Sequence, residues 1–270
     1  MRSMPETNKP GHERGGREPA PGSWEEKMRN AKLLLFPLAT VLLAVTVALV
    51  LTWLTATPGE RDEMSQWISE QTGQENPDEG IRQIEWDALP HEIIAWVEVP
   101  GTAIDEPIVQ ADPAHPDYYL YADVFGEGGY GTPYIDCDCS LAGPLTIVYG
   151  HHMDDGSVFA DFARYSDRDF AAGSRDIYVY VREGDRRIEL EAVAVDIVNA
   201  NRETLRTEFD DQEEFEAYAR EAIGESDLVL DAPVEVRHLY AFSTCSYQTG
   251  NSRTVVYAME RGDDDEWDYD

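Results

Sequence analysis

Positive charge is scarce in this chain. Its 270 residues include 21 lysines and arginines against 54 aspartates and glutamates, which gives a formal net charge of −33. Nucleic-acid binding needs a cationic surface, so this imbalance argues against a nucleic-acid partner. A solvated acidic surface is the simplest explanation of the charge. Selection of basic partner proteins and adaptation to salt are open alternatives.

Cysteine is also rare, with three residues in the whole chain. Cys245 has no partner that the sequence requires, which suits a reactive thiol. Cys137 and Cys139 are two residues apart and lack the paired C-x-x-C pattern of a zinc site. A local disulfide, two free thiols without a catalytic role and half of a metal site all stay open for this pair.

Long apolar runs are absent apart from residues 33–56, which contain no charged side chain. A bilayer span needs about 20 such residues. Cations precede the run and acids follow it, so the positive-inside rule predicts a cytoplasmic N-terminus and an extracellular remainder. A cleaved signal peptide is the alternative, but its apolar region usually has only about 7–15 residues. We therefore expect an uncleaved, single-pass anchor in the cell membrane.

The rest of the chain divides by composition, and its length suits one globular domain with appendages. Residues 1–32 are predicted to be a disordered cytoplasmic tail, and 57–84 an acidic linker with short helices. Residues 85–262 form the predicted domain, and 263–270 form an acidic tail.

Short apolar segments separated by Gly, Pro and Asp predict a barrel or sandwich of β-strands. The predicted strands are 95–99, 107–110, 131–135, 145–149, 177–182, 187–198, 234–242 and 253–260. Two helices are predicted at 157–171 and 210–223. Ser157 is the expected N-cap of the first, and Phe215, Tyr218 and Ala222 form one stripe of the second. We expect the aromatic residues of both helices to lie in the core.

The segment from Phe242 to Arg253 carries the most chemical information. A predicted strand leads into a turn of small residues around Cys245, and Arg253 begins the next strand. A thiol and a guanidinium at neighbouring strand ends suit acyl transfer, because sulfur attacks a carbonyl while a fixed cation stabilises the oxyanion. A buried structural cysteine with a surface arginine is the alternative.

Two histidines follow the predicted strand 145–149. A cysteine nucleophile needs a nearby base or imidazolium, and His151 and His152 come directly after Gly150. Adjacent residues of an extended strand face opposite sides, so only one of these histidines can address Cys245.

Together these segments resemble the class B sortases. The resemblance rests on the His motif from Tyr149 to Phe159, on Ser243-Thr244-Cys245 and on Arg253, eight residues after the cysteine. Segments 94–110, 118–120 and 131–136 also fit, so the resemblance covers about residues 85–260. It implies a mainly β fold: a closed eight-stranded barrel with N-terminal helices, and a helix at 210–223 in the connection before the Cys strand.

The resemblance implies a membrane-anchored, extracytoplasmic cysteine transpeptidase. Such an enzyme cleaves the sorting-signal peptide of surface proteins or pilins and holds the acyl group as a thioester on Cys245. It then transfers that group to an amine of a cell-wall precursor or a pilin lysine. No cofactor and no metal are expected.

The resemblance also assigns the site residues. His151 is selected over His152 because the family's histidine directly follows the glycine, and it would exchange protons with the two amines. Arg253 would bind the oxyanion or the peptide backbone. Thr244, Ser246, Tyr247 and Asn251 are predicted to contact the substrate, whereas Asp155 and Ser157 are predicted to cap a helix.

Three other classes of protein fit less well. Papain-like peptidases place the cysteine before the histidine and on a helix, and L,D-transpeptidases hold both residues in one short motif. A wall-linked adhesin would end in a sorting motif, an apolar stretch and basic residues, whereas this chain ends in acid.

Overall fold

The computed structural model describes residues 24, 43, 45–47, 67, 82–126, 131–199, 205–246 and 252–261, with only the backbone at 245 and 246. The chain divides into two units, Met1–Gly59 and Glu60–Asp270. The few described residues of the first unit are helical and exposed. All strands described below belong to the second unit.

The single-pass membrane localisation predicted from residues 33–56 is contradicted. Across the described residues, no helix combines the length and the apolar character needed to cross a bilayer. Most of the predicted anchor, nearly all of the tail 1–32, most of the linker 57–84 and the acidic tail 263–270 lie outside the described residues.

Nine strands of the described chain form one sheet. They are β1 (Ile93–Glu98), β2 (Asp105–Gln110), β3 (Tyr134–Ile135), β4 (Leu145–Gly150), β5 (Asp176–Val181), β6 (Arg186–Asn199), β7 (Leu228–Val229), β8 (Leu239–Ser246) and β9 (Ser252–Glu260). The strand order is β5-β1-β2-β3-β4-β8-β9-β6-β7, and β5 also pairs with β6. Eight strands therefore close into a barrel, as the sequence predicts, and the short β7 extends the sheet beside β6.

Helices occupy the connections between strands. They are α1 (Tyr118–Tyr121), α2 (Arg168–Gly173) and α3 (Gln212–Glu225), with two short 3-10 helices at Trp86–Ala88 and Ala160–Ser166. α3 lies before the Cys strand β8, which confirms the predicted connecting helix. Its N-cap Asp211 accepts a hydrogen bond from the amide of Glu214. This bond satisfies a free amide of the first turn, so α3 begins after Asp211.

The prediction of one continuous helix over 157–171 is wrong. A 3-10 helix ends at Ser166, and Asp167 then begins α2 by accepting hydrogen bonds from the amides of Asp169 and Phe170. This capping carboxylate interrupts the helical pattern because an N-cap residue has extended backbone dihedrals. Ser157 is not the N-cap; its amide and hydroxyl both donate to Asp155 in a local turn.

The predicted strand 234–242 is also displaced. β8 begins at Leu239 and continues through Cys245 to Ser246, past the small residues that suggested a turn. Pairing with β4 on one side and β9 on the other extends the strand, which local composition does not reveal.

Aromatic side chains pack beneath the His motif, as predicted. Phe159, Phe162 and Tyr165 are fully buried. The ring of Phe162 stacks on that of Phe242 with centroids 5.1 Å apart, so the helical segment is fixed to β8. Phe215 of α3 is buried as well, and Ala219 and Ile223 complete the apolar stripe of that helix.

Candidate active site

Two parallel strands bring the histidine and the cysteine to the same edge of the barrel. β4 and β8 pair in parallel, and their last paired residues are Gly150 and Thr244. His151 follows the first and Cys245 follows the second. Because parallel strands end at the same side of a sheet, two residues about ninety positions apart in sequence become neighbours in the fold.

The arginine joins this edge from the other side. β8 and β9 are antiparallel, and Cys245 lies directly opposite Arg253. Residues opposite each other in an antiparallel pair occupy the same face of the sheet. The three predicted catalytic positions therefore lie on three adjacent strands, in the order His, Cys, Arg.

A groove opens at this edge with a volume of about 200 Å³. Its lining includes His151, Thr244 and Arg253. The other lining residues come from the segment around α1, from β3 and the turn after it, and from β4 and β8: Pro116, Asp117, Leu120, Tyr134, Asp136, Cys137, Tyr149, Gly150 and Ser243. The groove contains both charged and aromatic side chains.

His151 is held through its imidazole and through its backbone. Its Nε2 forms a hydrogen bond with the carbonyl oxygen of Leu120 at 2.5 Å. A carbonyl oxygen can only accept, so Nε2 carries a proton, and Nδ1 is the nitrogen that can exchange one in the neutral ring. On the backbone side, the carbonyl of His151 accepts a hydrogen bond from the amide of Phe159 at 2.9 Å.

The structure separates the two adjacent histidines. His152 forms an isolated antiparallel bridge with Val158 and lines a second depression, together with Ala160, Arg164 and Phe170. His151 lines the groove that contains Arg253. The alternation expected along an extended chain therefore places one imidazole at each of two separate sites.

Arg253 contacts an aromatic ring at the groove. Its Cζ lies 5.6 Å from the centroid of the Tyr149 ring, within the range of a cation–π interaction. Tyr149 in turn packs against Tyr134 with centroids 5.5 Å apart. Burial raises the pKa of both phenols, that of Tyr134 to about 12, so both are neutral at physiological pH.

Of the residues predicted to contact substrate, Thr244 lines the groove. It is buried, and among the described residues its Oγ1 has no hydrogen-bond partner. The backbone of Ser246 pairs with Ser252. Tyr247 and Asn251 lie outside the described residues.

Sequence reasoning missed several groove residues as site residues. Asp136, Tyr134, Tyr149 and Leu120 all line the groove. Each belongs to a segment that carries the family resemblance, which is the signal that could have identified them. The sequence does not show that these residues lie near the His and Cys motifs, because the barrel brings together segments that are far apart in the chain.

Cys137 and Cys139 are free thiols, which excludes the local disulfide. Desolvation raises the pKa of both thiols, that of Cys139 to about 11, so neither is activated as a nucleophile. Donor atoms of Asp136, Cys137 and Asp138 lie within 4.8 Å of one another, so the alternative of half a metal site stays open.

Comparison with known proteins agrees with this geometry, although no protein-family model matches the chain. Sortase B of Listeria monocytogenes is 30% identical over 162 residues, which are 58% of this chain and 64% of that protein. The solved sortase B of Bacillus anthracis superposes with a TM-score of 0.62 at 26% identity, covering 77% of this chain and 100% of that chain. For sortase B of Clostridium perfringens the TM-score is 0.58 at 26% identity, covering 63% and 94%.

The chain is similar to class B sortases in sequence and in fold. It spans just under two thirds of the length of its L. monocytogenes relative. The solved relatives agree with the barrel described above.

Proposed function

We propose that this chain is a class B sortase, a cysteine transpeptidase that cleaves a sorting-signal peptide and transfers the resulting acyl group to an amine. The observation that supports the proposal is the register of β4, β8 and β9: Gly150, which precedes His151, pairs with Thr244, and Cys245 pairs with Arg253. The family relationship supports the same reaction class.

In the first half-reaction, the thiolate of Cys245 attacks the scissile carbonyl of the peptide. The tetrahedral intermediate collapses to a thioester, and the peptide amine leaves. Protonated His151 donates a proton from Nδ1 to that amine, while Nε2–H remains bonded to the Leu120 carbonyl. The leaving group thus departs as a neutral amine.

In the second half-reaction, an amine attacks the thioester. His151 accepts the proton that the amine loses, and Cys245 leaves as the thiolate. A thioester is a good acyl donor, so aminolysis requires little beyond positioning and a proton acceptor. The amine comes from a cell-wall precursor or from a pilin lysine.

Arg253 supplies fixed positive charge in both steps. Its planar guanidinium presents several N–H donors to the oxyanion that forms at the scissile carbonyl, or to a backbone carbonyl of the bound peptide. Thr244, Ser246, Tyr247 and Asn251 are the further residues that we propose contact the peptide. The reaction requires no cofactor.

Cleavage of a quenched peptide library tests the proposal. The purified chain should cleave peptides that carry a sorting signal, and addition of an amine acceptor should convert hydrolysis product into transfer product. Cys245→Ala should abolish both products while the circular dichroism spectrum stays unchanged. Full cleavage by the alanine variant would refute the mechanism.

A further inference from the structure

The guanidinium of Arg253 has a different kind of neighbour from the guanidinium groups of three other arginines. Arg82, Arg175 and Arg187 each form ion pairs with a carboxylate. Within the described part of the chain Arg253 forms none, and its close neighbour is the ring of Tyr149, 5.6 Å from Cζ.

Tyr149 is itself packed against a second ring. The centroid of the Tyr134 ring lies 5.5 Å from that of Tyr149. Tyr134 and Tyr149 are paired residues of β3 and β4, so the pairing of these strands positions the Tyr149 ring beside the guanidinium.

An aromatic face and a carboxylate hold an arginine in different ways. A carboxylate takes up N–H donors and neutralises the charge, whereas a ring face attracts the cation and leaves the N–H groups at its edge unused. An arginine that must stabilise an oxyanion needs its donors and its charge available. The Tyr149 ring meets that requirement.

We propose that Tyr149 is a positioning residue for Arg253, and that packing against Tyr134 holds the Tyr149 ring in place. This inference rests on the proposed transpeptidase function and adds a means by which the arginine is oriented without being neutralised. Tyr149 does not touch the reacting atoms, so its effect on catalysis passes through Arg253.

Substitution at position 149 tests the role of the ring. Tyr149→Leu should lower kcat/KM for the sorting peptide about fivefold to tenfold, which corresponds to the loss of a partly desolvated cation–π contact. Tyr149→Phe keeps the ring and should retain most of the activity. Equal losses in the two variants, or no loss in Tyr149→Leu, would overturn the inference.

A matched control comes from the same barrel. The guanidinium of Arg187 lies 4.8 Å from the centroid of the Tyr178 ring, outside the groove. Tyr178→Leu removes a similar contact and should leave kcat/KM unchanged. A comparable loss in Tyr178→Leu would show a general structural effect and would contradict the inference.

A double-mutant cycle separates positioning from simple packing. In an Arg253→Ala background, Tyr149→Leu should cause no further loss, since the group that it positions is gone. Additive losses would overturn the inference. Activity of Cys245→Ala at the wild-type level would instead refute the proposed function, so the two failures are distinguishable.

Discussion

Gly131 packs directly against the imidazole of His151. A Cβ atom at Gly131 would lie 2.6 Å from Cδ2 of His151 and 3.0 Å from the carbonyl oxygen of Tyr119. The backbone of Gly131 also has a φ of +71°, in the left-handed region. The segment before β3 thus approaches the histidine as closely as a residue without a side chain allows.

Gly131→Ala should therefore displace the His151 ring and lower kcat/KM by more than tenfold, because misplacement of a catalytic group by about 1 Å is costly. Peptide cleavage kinetics measure this loss. Gly101 is the matched control, because its φ is +79° but a Cβ there would meet nothing within 4 Å.

Both alanine variants should lose about 1–2 kcal/mol of unfolding free energy from the left-handed backbone. Only Gly131→Ala should lose activity. Equal activity in the two variants would contradict the close approach of Gly131 to the imidazole.

We expect Thr244→Val to affect stability and activity differently. Its Oγ1 is buried without a partner among the described residues, so Thr244→Val should leave the unfolding free energy unchanged or raise it by about 1 kcal/mol. If the hydroxyl donates to the peptide, kcat/KM should fall about threefold to tenfold. Urea unfolding and peptide kinetics on the same preparation measure both quantities.

Thr254 provides the control for this substitution. It lies opposite Thr244 across β8 and β9, and its Oγ1 is likewise buried and without a described partner, but it does not line the groove. Thr254→Val should change stability in the same direction and leave kcat/KM unchanged. Matching kinetic losses at both positions would argue against a substrate contact at Thr244.

The strands of the barrel can be predicted from the sequence because each is a short apolar segment bounded by Gly, Pro or Asp. The sequence also predicts that His151, Cys245 and Arg253 follow or begin strands. It does not predict that β8 continues past Cys245, because pairing with two neighbouring strands overrides the local preference of Ser243 and Thr244.

Residues that act through another side chain are harder to predict. The contact of Tyr149 with Arg253 depends on the register of three strands, and its packing against Tyr134 depends on the pairing of β3 with β4. Neither leaves a local pattern. The helix break between Ser166 and Asp167 is also not predicted from the sequence, because the helical spacing of apolar residues continues through it.

The buried carboxyl of Glu106 predicts a pH dependence of stability. Glu106 is 4% exposed. Desolvation, followed by repulsion from Asp105, raises its pKa from 4.5 to about 8, and a hydrogen bond from the amide of Val158 opposes the shift. Asp155 adds a smaller repulsion. Between these pKa values the unfolded chain loses the proton while the folded protein keeps it.

Glu106 should thus reduce the free energy of unfolding by up to about 1.4 kcal/mol per pH unit as the pH rises through this window. Glu106→Gln removes the titrating group. The stability of the variant relative to wild type should therefore increase from about pH 5 to about pH 8 in urea unfolding experiments. Parallel stability curves for the two proteins would rule out a raised pKa at Glu106.

The central claim is that Cys245 holds the acyl group. Intact-mass spectrometry of the enzyme incubated with an intact sorting peptide, in the absence of an amine acceptor, tests it most directly. The wild-type chain and Cys137→Ala, which removes the unactivated groove thiol, should both gain the mass of the acyl fragment, and hydroxylamine should remove it. Cys245→Ala should gain none. An adduct on Cys245→Ala, or its loss in Cys137→Ala, would contradict the account.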